Sequence, residues 1–282
     1  MESQSSKDLK VNAAFTDEHT ETRDGCRIAF GRMGHADAGG PRIVLVHALA
    51  MNRFFWQEVA ERLIDTTAML AIDCRGAGQS GKPVAAYTVE QFADDIADVL
   101  DHVSWQDAFI AGASMGGCVS LAFAARYPQR ALGLGLIDTT AWYGPEAAKA
   151  WAERAAKAEL GGMAALIDFQ LARWFSDAFR EAQAERVQRA VDIFLCNDVT
   201  AYAATCQMLG AYDMRAALAR LTLPTRILVG EEDYATPVAM AQALHQGIKS
   251  STLRVLTGVR HFSPLEVPDV IAAELSQLAK GR

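Results

Sequence analysis

The sequence has no long hydrophobic run. Its start, "MESQSSKDLK", is polar and lacks the apolar stretch of a secretory signal, and no later segment approaches the roughly 18 consecutive apolar residues of a membrane span. These gaps predict a soluble, cytoplasmic protein with no membrane partner. Cysteine is sparse as well. Cys26, Cys74, Cys118, Cys196 and Cys206 are odd in number, no two form a C-x-x-C pair, and most sit inside apolar segments, which predicts buried thiols rather than a zinc or redox site. No cluster of Lys and Arg occurs, and 34 acidic residues against 27 basic ones give a formal charge of -7, a balance that argues against nucleic acid as partner. The glycine-rich "AIDCRGAGQSGKP" at 71–83 lacks the G-x-x-x-x-G-K-[ST] order of a phosphate loop, and no G-x-G-x-x-G follows a strand. It reads as a structural turn in which Asp73 and Arg75 brace neighbouring loops. Nothing has metal-ligand spacing, so neither metal nor cofactor is expected, and a small molecule is left as the expected partner.

With 282 residues, 51% of them hydrophobic, the chain can bury a full core. Short β-branched runs alternate with helical patterns: "RIVLVHA" (42–48), "AMLAID" (68–73), "DAFIAGA" (107–113), "LGLGLID" (132–138), "TRILVG" (225–230) and "TLRVL" (252–256). That alternation predicts an α/β fold, a mostly parallel twisted sheet flanked by helices on both faces. "CRIAFGRMG" (26–34) is expected to form an antiparallel edge hairpin with what precedes it. In "TVEQFADDIADVLDHV", Phe92, Ile96, Val99, Leu100 and Val103 fall on one helical face, leaving Asp94, Asp95, Asp98 and Asp101 for a solvated one. The rhythm breaks for some 70 residues, where only helical patterns appear, such as "MAALIDFQLARWF". The expected organisation is a partly flexible N-terminal segment (1–24), a core (25–141), a helical cap inserted between two strands (142–215) and the rest of the core (216–282). In open parallel sheets ligands bind outside the carboxyl ends of the strands, and the cap is expected to roof that region.

"GASMGG" at 112–117 fits G-x-S-x-G, a strand-turn-helix elbow that strains and exposes its serine and leaves room only for small neighbours. The strand "DAFIAGA" leads in and the helical pattern "GGCVSLAFAARYP" leads out, as the motif requires. A serine hydroxyl is a weak nucleophile, so Ser114 needs a base, and the base needs a carboxylate to orient it. In chain order serine, acid, histidine, only His245 and His261 follow the serine. His245 lies in a helical pattern, whereas His261 follows the last strand in "LTGVRHFSPLEVP". The acid should also leave a strand at its carboxyl end. Asp233 in "RILVGEEDYATP" does so and leads Asp138 in "LGLGLIDTT" as the candidate; Glu231 and Glu232 are expected to face water. Acyl transfer further calls for backbone N–H groups at the developing oxyanion, here those of Met115, after the serine, and Leu49, in "VHALAMNRFFW". His47 is expected to hold that loop by hydrogen bonds.

"VHALAMNRFFW", "AIDCRGAGQSGKP", "GASMGG", "VGEEDYATP" and "RHFSPLEVP" stand in the order found in the α/β-hydrolase superfamily, which the chain resembles from about residue 25 to 280. Within it, "TTAWYGPEAAKAWAERAAKAELGGMAALIDFQLARWFSDAF" and "NDVTAYAATCQMLGAYDMR" are most similar to the cap of the 3-oxoadipate enol-lactonases of aromatic catabolism. The resemblance implies Ser114 as nucleophile, Asp233 as acid, His261 as base, and oxyanion donors at Leu49 and Met115. Ala48 and Ala50 stand where relatives often have a glycine after the histidine, and Ala77 where they often have histidine, which leaves the triad intact. An enol-lactone with a carboxylate tail would want a cation and an amphipathic wall in the cap, for which Trp142, Arg173 and Trp174 are the candidates. Rival readings with the same triad are an acyl-homoserine lactonase, a general carboxylesterase and a carbon-carbon bond hydrolase; a non-catalytic ligand receptor on the same scaffold is a further one.

Overall fold

The computed structural model describes residues 14–35 and 40–280. Residues 1–13, the larger part of the N-terminal segment expected to be flexible, lie outside the described residues. Eight strands form one sheet among them: β1 (Glu18–Glu21), β2 (Arg27–Met33), β3 (Arg42–Val46), β4 (Ala68–Ile72), β5 (Ala108–Ala113), β6 (Ala131–Ile137), β7 (Thr225–Gly230) and β8 (Ser251–Leu256). Their order is β1-β2-β4-β3-β5-β6-β7-β8. β1, β2 and β4 pair antiparallel in succession, so the expected hairpin exists with β1 at the edge, and the remaining neighbours are parallel.

Outside the β6–β7 connection the α-helices are α1 (Gln57–Leu63), α2 (Val89–His102), α3 (Met115–Arg126), α10 (Val238–Gly247), α11 (Ser263–Glu266) and α12 (Pro268–Lys280). Within that connection lie α4 (Ala147–Gly161), α5 (Ile167–Trp174), α6 (Asp177–Ala182), α7 (Ala184–Leu195), α8 (Val199–Gly210) and α9 (Arg215–Leu218). The central strands are apolar almost throughout because both faces are covered. Alternate residues go to opposite sides: Val44, Val46 and Ile110 pack with Phe92, Ile96 and Leu100 of α2 and Val119 of α3. Ile43, Leu45 and Phe109 pack with Val59 and Leu63 of α1 and Ile271 and Leu275 of α12. No helix of the described residues is long and apolar enough to cross a membrane.

The solvated face expected on α2 needs one correction. Thr88 caps that helix in a capping box with Gln91, and Phe92, Ile96, Val99 and Leu100 are buried as the spacing predicts. Asp95, however, is 2% exposed and accepts from Arg75 Nε at 2.8 Å and Nη2 at 2.6 Å. A buried guanidinium needs a carboxylate, and the neighbouring loop supplies the guanidinium. Asp94 and Asp98 also meet arginines, Arg126 and Arg23. Of the cysteines, Cys26, Cys74, Cys118 and Cys206 are buried and Cys196 is exposed.

The helices between β6 and β7 form an excursion whose two ends meet. Trp142 bridges Asp213, and the Met214 N–H donates to the Ala141 carbonyl at 2.8 Å. The far side is tied down by Arg260, whose Nη1 donates to the Ala172 and Phe175 carbonyls at 3.1 and 2.9 Å, filling acceptors that the end of α5 leaves open. Trp174 of α5 stacks on Phe262 with ring centres 4.9 Å apart, so an aromatic contact joins the insertion to the turn after β8.

Candidate active site

The turn between β5 and α3 is tight for a steric reason. A Cβ at Gly112 would stand 2.0 Å from the Gly116 carbonyl oxygen, and one at Gly116 would stand 2.1 Å from that of Val46. With both spaces filled by backbone, Ser114 is forced to φ 53° and ψ -117°, outside the conformations an L-residue prefers. Its N–H donates to the Ile137 carbonyl at 2.9 Å and its carbonyl accepts from Thr139 Oγ1 at 2.7 Å, which fixes the strained unit from both sides.

From that elbow the Ser114 hydroxyl donates to His261 Nε2 at 2.8 Å, and His261 Nδ1–H donates to Asp233 Oδ2 at 2.8 Å. The tautomer follows from the carboxylate. Asp233 Oδ1 accepts from the N–H groups of Ala235 and Thr236 at 2.7 and 2.9 Å, and Oδ2 also accepts from Thr236 Oγ1 at 2.9 Å. Burial pushes this carboxyl up, but His261 and the Thr236 donors outweigh it and hold it below the ordinary carboxylate range. An ionised Asp233 only accepts, so Nδ1 carries the proton and Nε2 of the neutral ring is free to take one from Ser114.

Asp138 has a different task. It is fully buried, its oxygens accept from the Gly230 and Ser263 N–H groups at 3.0 and 3.1 Å, and it thereby ties the end of β7 to the start of α11. Burial and the nearby Asp233 charge push its carboxyl well above the ordinary range. The hydrogen bond to His261 belongs to Asp233. Glu231 is exposed and accepts from the Gly258 N–H, while Glu232 is half-buried and pairs with Arg260. His245 is exposed on α10 beside Ser251.

The loop after β3 runs past the serine. His47 Nδ1–H donates to the Ala48 carbonyl at 2.8 Å, and the Cys74 N–H donates to His47 Nε2 at 3.0 Å. Burial pushes this imidazole below its ordinary value, in keeping with a neutral ring that donates at one nitrogen and accepts at the other. Asp73 accepts from Arg53 N and Nη1 at 2.6 and 2.7 Å and so braces the same loop. Ala50 takes φ 57°, where glycine would be easier, and Asn197 of the insertion donates to its carbonyl at 2.8 Å. Leu49 lines the cavity beside Ser114, and Met115, as the first residue of α3, has an N–H with no acceptor inside its helix.

That cavity, of about 240 Å³, is walled by Ser114, His261, Leu49 and Phe262 from the core and by Tyr143, Trp151, Arg154, Gln170, Arg173 and Trp174 from the β6–β7 connection. Arg173 and Trp174, both substrate-wall candidates from the sequence, line it. Trp142 does not: its ring lies under the Arg215 guanidinium at 3.7 Å and borders another hollow with Thr140 and Leu218. The reason is the bridge to Asp213, which fixes Trp142 at the base of the insertion. Trp151 and Arg154 were missed, although a signal existed. Ala147, Trp151, Ala155 and Ala158 recur at helical spacing on the inward face of α4, and Arg154 is three residues from Trp151.

Comparison with known proteins agrees with this architecture. The family model described as serine aminopeptidase, S33 matches residues 40–267. Over 254 residues the chain is 30% identical to 3-oxoadipate enol-lactonase 2 of Acinetobacter baylyi, covering 90% of this chain and 93% of that protein. The crystal structure of the enol-lactonase from Burkholderia xenovorans LB400 superposes with a TM-score of 0.88 at 28% identity, covering 93% of this chain and 99% of the other. Est816, described as an N-acyl homoserine lactone degrading enzyme, superposes with a TM-score of 0.79 at 27% identity, covering 92% and 99%. With a family match over most of its length and superposition on solved hydrolases across more than nine-tenths of the chain, the chain belongs to the α/β-hydrolase family, a hydrolytic enzyme with lactonases and esterases among its relatives.

Proposed function

We propose that the protein is a serine hydrolase that opens a small lactone, 3-oxoadipate enol-lactone, through an acyl-enzyme on Ser114. The observation that carries the reading is the unbroken chain Ser114–His261–Asp233, with both links at 2.8 Å, opening on a cavity shared by core and insertion. Similarity to two enol-lactonases supports the substrate. In this reading residues 142–215 are a cap that governs what enters.

Ser114 Oγ attacks the lactone carbonyl as its proton passes to His261 Nε2, and the imidazolium is stabilised by Asp233. The N–H groups of Leu49 and Met115 receive the oxyanion, a kind of donor whose removal costs about 3 to 4 kcal/mol of barrier in other enzymes. The ring-opened enol oxygen takes the proton back from His261, and because the substrate is a lactone it stays attached to the acyl group. Water, deprotonated by His261, then attacks the ester carbonyl, the bond from that carbon to Ser114 Oγ breaks as Oγ takes the proton back from His261, and the acid leaves.

The likeness to Est816 supports a second reading, an N-acyl homoserine lactone as substrate with the same triad. Steady-state assays on 3-oxoadipate enol-lactone, an N-acyl homoserine lactone and p-nitrophenyl acetate separate the two. The expected result is kcat/KM for the enol-lactone at least about 100-fold above the others, with Ser114→Ala lowering kcat about 10^4-fold or more. Turnover of the enol-lactone no faster than that of the simple ester removes the substrate assignment, and undiminished turnover by Ser114→Ala removes the nucleophile.

A further inference from the structure

We infer that Arg260 is a positioning residue for the candidate base and acid: one guanidinium, shared by the loop of His261, the loop of Asp233 and the end of α5, keeps the two side chains in hydrogen-bonding register. The inference rests on the Ser114–His261–Asp233 reading above and goes beyond it, naming a residue that acts through the triad while standing outside the cavity wall.

Residues 260–266 lie beside residues 172–176, and every one of the latter is engaged. Arg260 Nη1 donates to the Ala172 and Phe175 carbonyls at 3.1 and 2.9 Å, the His261 N–H to the Arg173 carbonyl at 3.4 Å, and the Phe262 N–H to the Trp174 carbonyl at 2.9 Å. Glu266 accepts from the Ser176 N–H at 3.2 Å and from the Arg260 N–H at 2.9 Å. A helix leaves its last carbonyls without donors of its own, so the end of α5 offers main-chain acceptors whatever its side chains are. The backbone that carries the base is therefore held by the insertion as well as by the sheet.

The same guanidinium reaches the acid. Its Nε donates to Glu232 Oε2 at 3.3 Å and its carbon stands 5.3 Å from the centre of the Tyr234 ring, so it touches the residues before and after Asp233. The two loops are pressed together at their roots: a Cβ on Gly230 would stand 2.4 Å from the Val259 and Arg260 carbonyl oxygens, and the Glu232 N–H donates to the Val259 carbonyl at 3.0 Å. Charge is the smaller part of what Arg260 contributes. Its ion-pair partners Glu232 and Asp177 keep 41% and 66% of their side chains exposed, and pairs so open to water contribute little. The larger part is geometric, because a rigid planar fork fixes several acceptors at once and a lysine in its place would keep the charge but lose the fork. Proton transfer along the triad needs the 2.8 Å link from His261 to Asp233, and a misplacement of about 1 Å can cost about 100-fold in rate.

The test compares the wild type with Arg260→Met, Arg260→Lys and a control, Arg130→Met. Arg130 does a similar job at the other end of the strands, where β5 and β6 begin, donating to the Trp105, Gln106 and Ala97 carbonyls at 3.0, 3.1 and 3.4 Å. On p-nitrophenyl acetate, Arg260→Met should lower kcat about 30- to 100-fold with KM changed less than about 3-fold. Arg260→Lys should fall between it and the wild type, and Arg130→Met should keep kcat within about 2-fold. A second readout needs no turnover: the His261 Nδ1–H held by Asp233 should give a far-downfield proton NMR line, identified by its loss in His261→Gln. That line should broaden or vanish in Arg260→Met and persist in Arg130→Met. Wild-type kcat in Arg260→Met, a fall in kcat with the line undisturbed, or equal losses in Arg260→Met and Arg130→Met would each overturn the proposal. Should Arg260→Met not fold, both readouts on Arg260→Lys decide in the same sense: losses support the role and wild-type values overturn it. Undiminished turnover by Ser114→Ala would overturn the hydrolase reading instead, and the NMR comparison would still decide whether Arg260 holds His261 against Asp233.

Discussion

On the core side of the cavity, Ser114 donates to His261, His261 donates to Asp233, and Asp233 accepts from Ala235 and Thr236. On the insertion side, Arg154 of α4 and Arg173 of α5 line the same space and both lean on the Phe169 ring, with no ion-pair partner among the described residues. The first region is complete without a ligand; the second is not. Groups that stabilise a transition state act best when their dipoles are already oriented, so the core fixes them on a sheet that cannot relax. Groups that choose a substrate need only meet it, and they can sit on a peripheral insertion whose sequence changes without disturbing the sheet.

The largest expected effect tests whether the core side is as rigid as its contacts imply. Gly116→Ala puts a methyl group 2.1 Å from the Val46 carbonyl oxygen, with backbone on both sides, and is expected to cost at least about 3 kcal/mol in urea unfolding. Gly162→Ala, just after α4 in the insertion, meets nothing within 4 Å but sits at φ +70°, and should cost only about 1 kcal/mol. Equal losses at the two positions would erase the contrast.

Asp233→Asn comes next. It keeps the shape of the side chain but upsets the tautomer of His261, and kcat should fall about 10^4-fold. The same variant reports on acid stability. The folded carboxyl is held below its ordinary value, so its contribution to stability is present above about pH 4 and lost as pH falls through the folded value. The asparagine variant lacks that contribution, and between about pH 7 and about pH 3 it should lose less stability than the wild type in urea titrations. An identical pH slope for both proteins would show that Asp233 is not held ionised by its neighbours.

The smallest effect probes the polar strut that Asn197 of the insertion offers to the loop after β3. Asn197→Ala removes the donor to the Ala50 carbonyl at 2.8 Å and frees a residue held at φ 57°. Stability should drop by about 1 kcal/mol and, in the proposed mechanism, where the adjacent Leu49 N–H receives the oxyanion, kcat should fall about 3- to 10-fold with KM changed less. A change confined to KM would place Asn197 with the substrate-choosing side instead.

Some of this was legible in the chain and some was not, and the division follows the range of the interactions. β3, β5 and β7 announce themselves because a strand covered on both faces reads as a near-continuous apolar run, here IVLV, AFIAGA and ILVG, a purely local pattern. The elbow is legible in part: Gly112 is crowded locally, by the Gly116 carbonyl four residues on, whereas Gly116 is crowded by Val46 from a neighbouring strand. Asp95 was misplaced because the Arg75 it pairs with lies 20 residues earlier, and a period-3.6 pattern has no term for such a partner. Trp142 and Trp151 are the same residue type nine positions apart, and only the bridge from Trp142 to Asp213 separates the base of the insertion from its cavity wall.

By itself the sequence determined which residues could do chemistry: a serine in a crowded elbow, and acids and a histidine at the carboxyl ends of strands, because residue type and short-range spacing set those. The tertiary structure decided which of two aspartates the histidine meets. Asp138 and Asp233 end neighbouring strands, but the loop after β7 turns the Asp233 carboxylate toward His261, while Asp138 is used up on the Gly230 and Ser263 N–H groups. It also decided that Arg154 and Arg173, on different helices, share one ring and one cavity, since neighbours separated in sequence acquire their charge environment only when the chain has folded.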